Sequence, residues 1–576
     1  MPLIDAPPRH TLADVFRSQV ERRADVEIFA FYDEEEARTS SLTFARLDRQ
    51  ASAIAASLQT EVKVGERALI MAVHEKNFIR AFFACQLAGV IGVPVWPVRL
   101  AEPRSLQALQ TIAGNCSPLA VLTDLPQHSR QELVDACPEL KEVHWKSIDE
   151  KAFEGAEEYR PPRLSADSIS FLQYTSGSTS APRGVVVTHR ALLANLRMIH
   201  TAFSFASDDV KVGWTPLYHD MGLIGNVLHS IYSGIKTVLL SPLAFVQRPR
   251  RWLHAMTRHG GTVAGGPNFG YDLCVARTNP EERAELNLSR WRLAFNGAEP
   301  VKRSTLDRFS EAFAGAGFDR RSFYPCYGMA ENVLLTTGAV PGRGPEVLDV
   351  SAEALRRGQL VPGVGQSLVS VGRPRLHRRV EIVDPDNRRR LPPGKIGEIW
   401  VAGLDVAPGY WAEGDDVDDG FDARLADSEE GSFLRTGDLG AIFDGDLYVT
   451  GRLKDTIIVA GQNHYPQDVE AVVEDADDAI RAGCTAAFAV GGAGTESVVV
   501  VAEISSRAKA GRSAQIIQNI ERAVARERAL RVDEVVLAMP HSIPKTSSGK
   551  VQRGACRRAY EGSAIPVWNG GCGEVS

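Results

Sequence analysis

A hydroxyl-rich segment in the first third of the chain has the composition of a phosphate-binding loop. It reads Tyr174-Thr-Ser-Gly-Ser-Thr-Ser-Ala-Pro-Arg-Gly184 and lies between apolar runs at 169–172 and 185–187, which predicts a strand, a tight turn and a second strand. Four hydroxyls could donate to phosphate oxygens and one glycine would let the backbone approach: Thr175, Ser176, Ser178, Thr179 and Gly177. It is not a Walker loop, since no Lys-Ser/Thr pair follows its second glycine. A flexible surface loop is the alternative.

A second segment places a lysine in a turn near the C-terminus. The sequence Pro544-Lys-Thr-Ser-Ser-Gly-Lys-Val-Gln-Arg553 presents Lys550 as a long, flexible cation that could reach an anion. An ordinary charged surface turn would explain it equally well if it stood alone. Together, the hydroxyl-rich loop and this lysine suit phosphoryl or nucleotidyl transfer, which needs positioning and charge stabilisation more than covalent chemistry by the protein.

Further motifs, in this order along the chain, resemble those of the acyl-adenylate-forming ligases, a family that includes acyl-CoA synthetases, luciferases and nonribosomal adenylation domains. The motifs are Phe295-Asn-Gly-Ala-Glu-Pro300, Tyr327-Gly-Met-Ala-Glu331, Arg435-Thr-Gly-Asp-Leu439 and Gly451-Arg-Leu-Lys-Asp455. The likeness extends from about Thr11 to Arg553.

This resemblance implies a role for each matching position. Lys550 falls on the catalytic lysine, Glu331 on a magnesium ligand, and Lys454 on the hinge between two domains. The positions implied to bind ATP are Thr175, Ser176, Gly177, Ser178, Thr179, Gly297, Ala298, Glu299, Tyr327, Gly328, Met329, Ala330, Asp438, Arg452 and Lys454. ATP and Mg²⁺ are the expected cofactors.

Elementary chemistry is compatible with these roles, although each residue type also has a structural explanation. Asp438 offers two acceptors to a ribose diol, or is the acid of an Asx turn. Glu331 supplies the hard oxygen that Mg²⁺ prefers, or stabilises a helix N-terminus. Tyr327 could stack on adenine or pack in the core, and Arg452 could bridge ribose and phosphate or be a strand-end charge.

Other segments resemble the fatty acyl-AMP ligase branch of the family, namely 214–223, 296–300, 401–411 and 461–468. In that branch an insertion restricts domain movement and CoA is a poor acceptor, and the Gly/Pro-rich segment 346–372 lies where the insertion is expected. The resemblance implies transfer to the phosphopantetheine arm of an acyl carrier protein. It also places His219 near the acyl carboxylate as an orienting or gating group, with a hydrogen-bonded structural histidine as the alternative.

The phosphate loop departs from the wider family at two positions. Ser180 stands where glycine is usual, and Arg183 where lysine is usual. Arginine keeps the charge but changes reach and geometry, so the pyrophosphate contact of this loop is expected to differ.

Strand-like runs that alternate with helical periodicity predict an α/β fold. We expect a large body over 1–452, made of two α/β subdomains and a β-rich subdomain with the insertion near 346–372. A small, mobile α+β domain carrying Lys550 is expected over 453–576. In it we predict a helix from 466, strands at 485–490, 497–504 and 534–539, a helix at 511–526, and a Gly-rich tail.

Composition narrows the class of protein. The 576 residues carry a net charge of −7, with 44% hydrophobic and 24% charged residues, which favours a globular protein and gives no footprint for nucleic acid. Eight scattered cysteines without a Cys-x-x-Cys pair favour a reduced, cytosolic protein, and the N-terminus has no signal core. The apolar stretch 81–98 contains two glycines and two prolines, so it predicts a buried helix and strand instead of a membrane span.

Three functions therefore remain to be compared. The first is a ligase that forms a fatty acyl-AMP and loads a carrier protein. The second is an acyl-CoA synthetase with the same first step. The third is an inactive adenylate-binding scaffold, which would be expected to lack Lys550, Asp438 or Glu331, whereas all are present. An amino-acid-activating domain is disfavoured, since no acid is clearly placed to pair with an α-ammonium group.

Overall fold

The computed structural model describes residues 10–568, except 33–39, 99, 101, 149–152, 176–181, 377, 412–419, 429–430, 492–496, 507, 510 and 547–548. The α-helices of this part of the chain are α1 (Leu12–Arg23), α2 (Phe44–Gln59), α3 (Glu75–Ala88), α4 (Pro103–Cys116), α5 (Gln127–Ala136), α6 (His189–Ala202), α7 (His229–Ser233), α8 (Pro242–Gln247), α9 (Arg250–His259), α10 (Asn268–Ala276), α11 (Pro280–Ala284), α12 (Arg303–Phe313), α13 (Ala352–Arg356), α14 (Pro466–Ala476), α15 (Ser513–Arg528) and α16 (Arg553–Glu561). A π-helix spans Met221–Leu228.

The strands are β1 (Glu27–Phe31), β2 (Ser40–Thr43), β3 (Arg67–Met71), β4 (Ile91–Pro94), β5 (Ala120–Thr123), β6 (His144–Ser147), β7 (Ile169–Tyr174), β8 (Gly184–Thr188), β9 (Lys211–Gly213), β10 (Thr237–Leu239), β11 (Val263–Gly266), β12 (Leu293–Asn296), β13 (Phe323–Gly328), β14 (Leu335–Gly338), β15 (Val347–Ser351), β16 (Gly365–Val369), β17 (Arg373–Pro374), β18 (Arg379–Val383), β19 (Gly397–Ala402), β20 (Leu434–Phe443), β21 (Asp446–Arg452), β22 (Ile457–Val459), β23 (Gln462–His464), β24 (Ile480–Val490), β25 (Ser497–Ile504) and β26 (Glu534–Ala538).

Two large sheets form the body. One has six strands in the order β6-β5-β3-β4-β7-β8, and the other has nine in the order β17-β14-β13-β12-β11-β9-β10-β1-β2. Helices such as α2, α3 and α6 bury apolar faces in a shared core, in which Phe82 and Phe83 are fully buried. The inner strands are parallel, so the loops at their carboxyl ends collect at one edge of each sheet.

A β-rich unit and a small α+β unit follow. Strands β18 to β21 form a four-stranded antiparallel sheet, and β24, β25 and β26 form a mixed sheet on which α14 and α15 pack. The hairpin β15–β16 and helix α13 lie in the segment predicted as an insertion. The α/β class, with two α/β units, a β-rich unit and a C-terminal α+β unit, is confirmed.

The helices and strands that we predicted from local pattern are present, and one helix of the C-terminal segment was not predicted. The apolar stretch 81–98 is the end of α3 followed by β4, as expected. The C-terminal segment contains α16, which the sequence interpretation had treated as part of a Gly-rich tail. Its apolar face consists of Ala555, Cys556, Ala559 and Tyr560, which recur at helical spacing, and only Cys556 of them is fully buried.

Candidate functional site

Asp438 lies at the centre of a group of polar side chains. The Tyr327 hydroxyl donates to Asp438 Oδ2 at 2.7 Å, and Arg452 Nε donates to Oδ1 at 3.0 Å. Burial, followed by the charge of Asp438, raises the pKa of Tyr327 far above its usual range, so the phenol stays a neutral donor. The charge of Asp438 also raises the pKa of Arg452. The structure thus brings together three residues that the sequence singled out.

Strand pairing explains why Asp438 and Arg452 meet. Asp438 on β20 is the direct partner of Arg452 on antiparallel β21, and facing side chains of such strands lie close together. Gly437, at a positive φ of 68°, precedes the acid, and the Thr436 hydroxyl accepts from the Asp438 backbone N–H at 3.1 Å. Both oxygens of the Asp438 carboxylate therefore accept from other side chains, so this carboxylate does not close an Asx turn.

The segment that follows β13 is a strained turn that carries Glu331. Glycine is required at 328, since a Cβ there would lie 1.8 Å from the Leu334 carbonyl oxygen. Met329 is extended and Ala330 is buried, and Ala330–Asn332 forms one 3-10 turn. Val333 then adopts φ 64° and ψ −65°, a γ-turn closed by the Leu334 N–H donating to the Asn332 carbonyl at 2.7 Å. A β-branched residue in this conformation marks a site whose surroundings enforce its geometry.

Glu331 is connected to the end of the hydroxyl-rich loop. The Tyr410 hydroxyl donates to Glu331 Oε1 at 2.8 Å and accepts from Arg183 Nη2 at 2.9 Å. The Arg183 guanidinium also lies over the Tyr410 ring, 3.8 Å from its centroid. Arginine at this position therefore stacks and hydrogen-bonds in a way that a lysine would not.

Glu299 lies in the turn after β12. Its Oε1 accepts from the Asn268 backbone N–H at 2.7 Å. Close packing requires Gly297, where a Cβ would lie 2.7 Å from the Cys326 carbonyl oxygen, and Ala298 adopts a positive φ of 72°. Because β12 and β13 are parallel neighbours, this turn and the Glu331 turn emerge at the same sheet edge.

Lys550 of the C-terminal unit points toward this edge of the body. Its loop is fixed by the backbone N–H of Lys550, which donates to the Thr546 hydroxyl at 3.0 Å. A Cβ at Gly549 would lie 3.6 Å from the Phe269 ring, so the loop packs against α10. Burial lowers the pKa of Lys550, and the charges of Asp220 and Glu299 partly oppose that shift. The lysine thus faces acids of the body.

His219 forms a pair with a residue that sequence reasoning missed. Its Nδ1 donates to Asp220 Oδ1 at 2.6 Å, and the Met221 backbone N–H donates to the same oxygen at 2.6 Å. Burial disfavours the ionised form of Asp220, yet His219 and Lys550 outweigh burial and lower its pKa. Asp220 is therefore a carboxylate influenced by the charges of both His219 and Lys550, and the only sequence signal for it was its place beside His219.

Some of the remaining predicted residues lie inside the part of the chain that the structure describes, and others lie outside it. Ser176, Gly177, Ser178 and Thr179, with the variant Ser180, lie outside the described residues. The Thr175 backbone N–H donates to the Arg183 carbonyl at 3.0 Å, which closes the base of that loop. Lys454 is exposed in the one-turn helix Leu453–Asp455, at the predicted hinge.

A buried polar network behind Glu331 also had no sequence signal. Arg378 contacts both Asn332 and Asp405, and Asn195 Nδ2 donates to Asp405 Oδ2 at 2.7 Å. Asn195 Nδ2 also lies 2.9 Å from the Leu335 carbonyl, directly after the γ-turn. These residues come from α6, the Glu331 turn and the β-rich unit, so only the folded chain unites them.

We predict that Asp405→Asn destabilises the body and weakens the Glu331 turn. The change leaves the Arg378 guanidinium, 1% exposed, without its carboxylate partner. We expect a loss of about 1–3 kcal/mol. Thermal unfolding measures the effect, and Asp167→Asn, which breaks an exposed Arg190 pair, is the matched control. Equal transition temperatures for the two variants would contradict this role.

Comparison with known proteins places this site in a family. Residues 16–411 match the model described as AMP-binding enzyme, and 454–568 match that of the Disco-interacting protein 2-like AMP domain. A medium-chain-fatty-acid–[acyl-carrier-protein] ligase of Moorena producens is 39% identical over 98% of this chain and 97% of its own.

Solved structures that are similar to this chain include enzymes of the same kind. A fatty acyl-adenylate ligase of L. pneumophila, in complex with acyl adenylate and pyrophosphate, is 35% identical over 96% of this chain and 97% of its own, with a TM-score of 0.75. A structure from a study of the fatty acyl-adenylate ligases of E. coli and L. pneumophila is 33% identical, covers 97% of this chain and 99% of its own, and has a TM-score of 0.87.

The chain therefore belongs to the AMP-binding enzyme family, in its fatty acyl-AMP ligase branch. No described helix is both long and apolar enough to cross a membrane.

Proposed function

We propose that this enzyme joins a fatty acid to AMP at the expense of ATP, releases pyrophosphate, and passes the acyl group to the phosphopantetheine thiol of an acyl carrier protein. The observation that carries the proposal is the approach of Lys550, from the C-terminal unit, to an edge of the body that presents Asp220, Glu299 and Asp438. A cation under the influence of several acids, in a site partly removed from water, can stabilise charge on a phosphate.

The residues around Asp438 fit the ribose of a nucleotide. A diol could donate to the two oxygens that Tyr327 and Arg452 now engage, and Arg452 remains half exposed and able to turn toward phosphate. We propose that 175–179 and 297–299 complete the nucleotide site, with Tyr327 to Ala330 lining one side and Lys454 acting at the hinge.

The acyl carboxylate is placed by His219 in this scheme. Asp220 accepts from Nδ1 at 2.6 Å and fixes the orientation of the imidazole ring, so that its Nε2 edge can contact the acyl carboxylate. An oxygen of that carboxylate attacks the α-phosphorus of ATP, the bond from the α-phosphorus to the bridging oxygen breaks, and pyrophosphate leaves. Lys550 stabilises the charge that develops between the attacking oxygen and the α-phosphate.

Glu331 fits the requirement of a magnesium ion. Mg²⁺ in phosphate sites is held by one or two carboxylates together with substrate oxygens. The described residues contain no cluster of three or more metal-ligating side chains, and Glu331 is a carboxylate oriented through Tyr410 at the edge where phosphate is expected. When bound there, the ion would neutralise charge on the phosphates.

The insertion links the body to the C-terminal unit. Arg528 Nη1 on α15 donates to Gln366 on β16 at 3.0 Å, and Arg356 on α13 donates to Gln462 on β23 at 3.0 Å. Val350, Leu355 and Leu360 of the insertion share an apolar cluster with Tyr465. We propose that these contacts limit the swing about a boundary at 452–453 and so disfavour CoA as the acceptor.

A panel of fatty acids with ATP tests the function as a whole. Mass spectrometry would resolve acyl-AMP, acyl-CoA and the acylated carrier protein. We expect acyl-AMP in every productive reaction and faster loading of the carrier than of CoA. Equal rates for the two acceptors would assign the chain to the acyl-CoA synthetases, and no acyl-AMP would refute the proposal.

We predict that Arg528→Ala increases the use of CoA. One hydrogen bond contributes about 0.5–1.5 kcal/mol, so loosening the unit should raise the acyl-CoA rate a few-fold. The rates of acyl-CoA and acyl-AMP formation, measured separately, check this. Arg526→Ala is the matched control, because Arg526 lies on the same helix and pairs with its neighbour Glu527. A rise in both variants, or in neither, would contradict the role of the insertion.

The compartment is also a proposal. All seven cysteines in the described part of the chain are free thiols, which supports the reduced, cytosolic setting expected from the sequence.

A further inference from the structure

The π-helix Met221–Leu228 starts directly after His219 and Asp220. Its first turn is bonded to this pair, because the Met221 N–H donates to Asp220 Oδ1 at 2.6 Å and the Leu223 N–H donates to the His219 carbonyl at 2.9 Å. π-Helical winding is rare and occurs mostly as single turns, frequently at functional sites. The orientation of His219 and Asp220 therefore depends on the contacts that keep residues 221–228 in this winding.

Lys211 reaches the π-helix from the sheet. It is the first residue of β9, only 3% of it is exposed, and its Nζ donates to the Gly225 carbonyl oxygen at 2.7 Å. The same Nζ lies 2.7 Å from Nδ1 of His229, which directly follows the π-helix and is fully buried. One side chain of the sheet thus contacts both the middle of the π-helix and the residue after its end.

Lys211 is a buried amine that forms no ion pair within the part of the chain that the structure describes. Burial lowers the pKa of Lys211 well below its usual range, and the charge of Asp209 opposes that shift. The Asp209 carboxylate itself accepts from Arg292 Nε at 2.8 Å and from the Thr262 hydroxyl at 2.7 Å. Burial of an amine costs free energy that its hydrogen bonds must offset, and those of Lys211 go to the π-helix and to the histidine after it.

The π-helix also packs closely against the segment that connects β9 to His219. A Cβ at Gly222 would lie 2.0 Å from the Pro216 carbonyl oxygen, and Asn226 Nδ2 donates to Thr215 Oγ1 at 3.0 Å. The chain thus leaves the sheet at β9, passes through His219 and returns along the π-helix to the residue at which the strand began. A change in the winding of the helix would therefore move the segment on both sides of His219.

We propose that Lys211 is a positioning residue for acyl-AMP formation. Through Gly225 it holds the winding of the π-helix, and through that winding it fixes His219 and Asp220 at the start of the helix. The inference rests on the role proposed above for His219 at the acyl carboxylate. Lys211 acts through these residues and is not assigned a contact with the substrate.

Hydrogen–deuterium exchange on the full chain, without substrate, tests the structural half of the proposal. Lys211→Met keeps an unbranched side chain of similar length and removes the donor. The amides of 221–228 should then exchange at least about tenfold faster, since a buried carbonyl loses its partner. Unchanged exchange in 221–228 would overturn the proposal. So would an equal rise in α3, which shares a core with Leu223 and Ile224, because Lys211 would then support the body as a whole.

Lys236→Met is the matched control. The Lys236 carbonyl accepts from the Lys211 backbone N–H at 3.0 Å, so the two lysines are neighbours in the sheet. The Lys236 ammonium is instead partly exposed and pairs with Glu27 at 2.5 Å. This variant should match the parent in the exchange of 221–228 and in the rate of acyl-AMP formation. A rise in exchange equal to that of Lys211→Met would contradict a specific role for the Lys211–Gly225 contact.

Kinetics test the functional half. Lys211→Met should lower kcat/KM for the fatty acid by at least about tenfold and leave KM for ATP unchanged, because the residues around Asp438 are not disturbed. In a His219→Ala background the same change should cost less than about threefold more, since Lys211 acts through His219. An equal loss in both backgrounds, or an equal rise in KM for ATP, would overturn the proposal.

The two measurements separate this inference from the proposed function. If the parent protein forms no acyl-AMP, the proposed function fails, whereas the exchange of 221–228 still reports whether Lys211 holds the π-helix. If acyl-AMP forms and Lys211→Met retains the parental kcat/KM for the fatty acid, the function stands and the positioning role of Lys211 is refuted.

Discussion

Lys550→Ala should reduce the rate of acyl-AMP formation by about 10²–10³-fold, the range for loss of one preorganised group that stabilises developing charge. Lys550 is half-buried at the joint between the units, where the acids Asp220 and Glu299 act on it. Alanine cannot follow the charge that appears on the α-phosphate, and no other cation lies on the 549–551 turn. Affinity for ATP should change little, because the ribose site around Asp438 is intact. Pyrophosphate release and nucleotide binding, measured in parallel, separate the two effects.

Lys545→Ala is the matched control for this variant. Lys545 belongs to the same loop, pairs through its backbone with Val551, and is exposed, with its ammonium 3.1 Å from Cys484 Sγ. It should retain the parental rate within a few-fold. An equal loss in both variants would mean that the fold of the loop, and not the charge at 550, is what the reaction needs.

Local pattern predicted part of the framework around the site. The strands on either side of the hydroxyl-rich loop follow from short apolar runs, and so do the helices and strands predicted in the C-terminal unit. The motif residues were expected to converge because a known family places them so, and Tyr327, Asp438 and Arg452 do make direct contact.

What the sequence lacked was information about contacts between distant segments. Asp220 gains its importance from Lys550, which follows 330 positions later, and no local periodicity links the two. The Arg378–Asp405 pair draws on Asn195 from α6, about 200 residues earlier in the chain. A buried charge among polar residues leaves no repeating pattern, because its cost is offset by partners that only tertiary structure supplies. The same reasoning explains why the γ-turn at Val333, which is enforced from outside, was not foreseen.

The second large effect is expected at Asp438. Asp438→Ala removes both acceptors that a ribose diol would use, and with them the hydrogen bonds from the Tyr327 hydroxyl and from Arg452 Nε. Each hydrogen bond to a charged group is worth about 1.5–3 kcal/mol, so KM for ATP should rise on the order of 10²-fold or more. Steady-state kinetics at varied ATP measures this. Asp446→Ala, at the other end of β21 where Asp446 faces Arg373, is the control and should leave KM unchanged.

Tyr327→Phe distinguishes a ribose site from a merely structural acid. If Asp438 serves only to hold Tyr327 and Arg452 in place, loss of the phenol should weaken ATP binding about as much as loss of the carboxylate does. If Asp438 binds the diol, Tyr327→Phe frees one of its oxygens and should change KM by less than a tenth of the effect of Asp438→Ala. The ratio of the two KM values therefore separates the explanations, since both variants disturb the same Tyr327–Asp438 hydrogen bond and only one removes the acceptor.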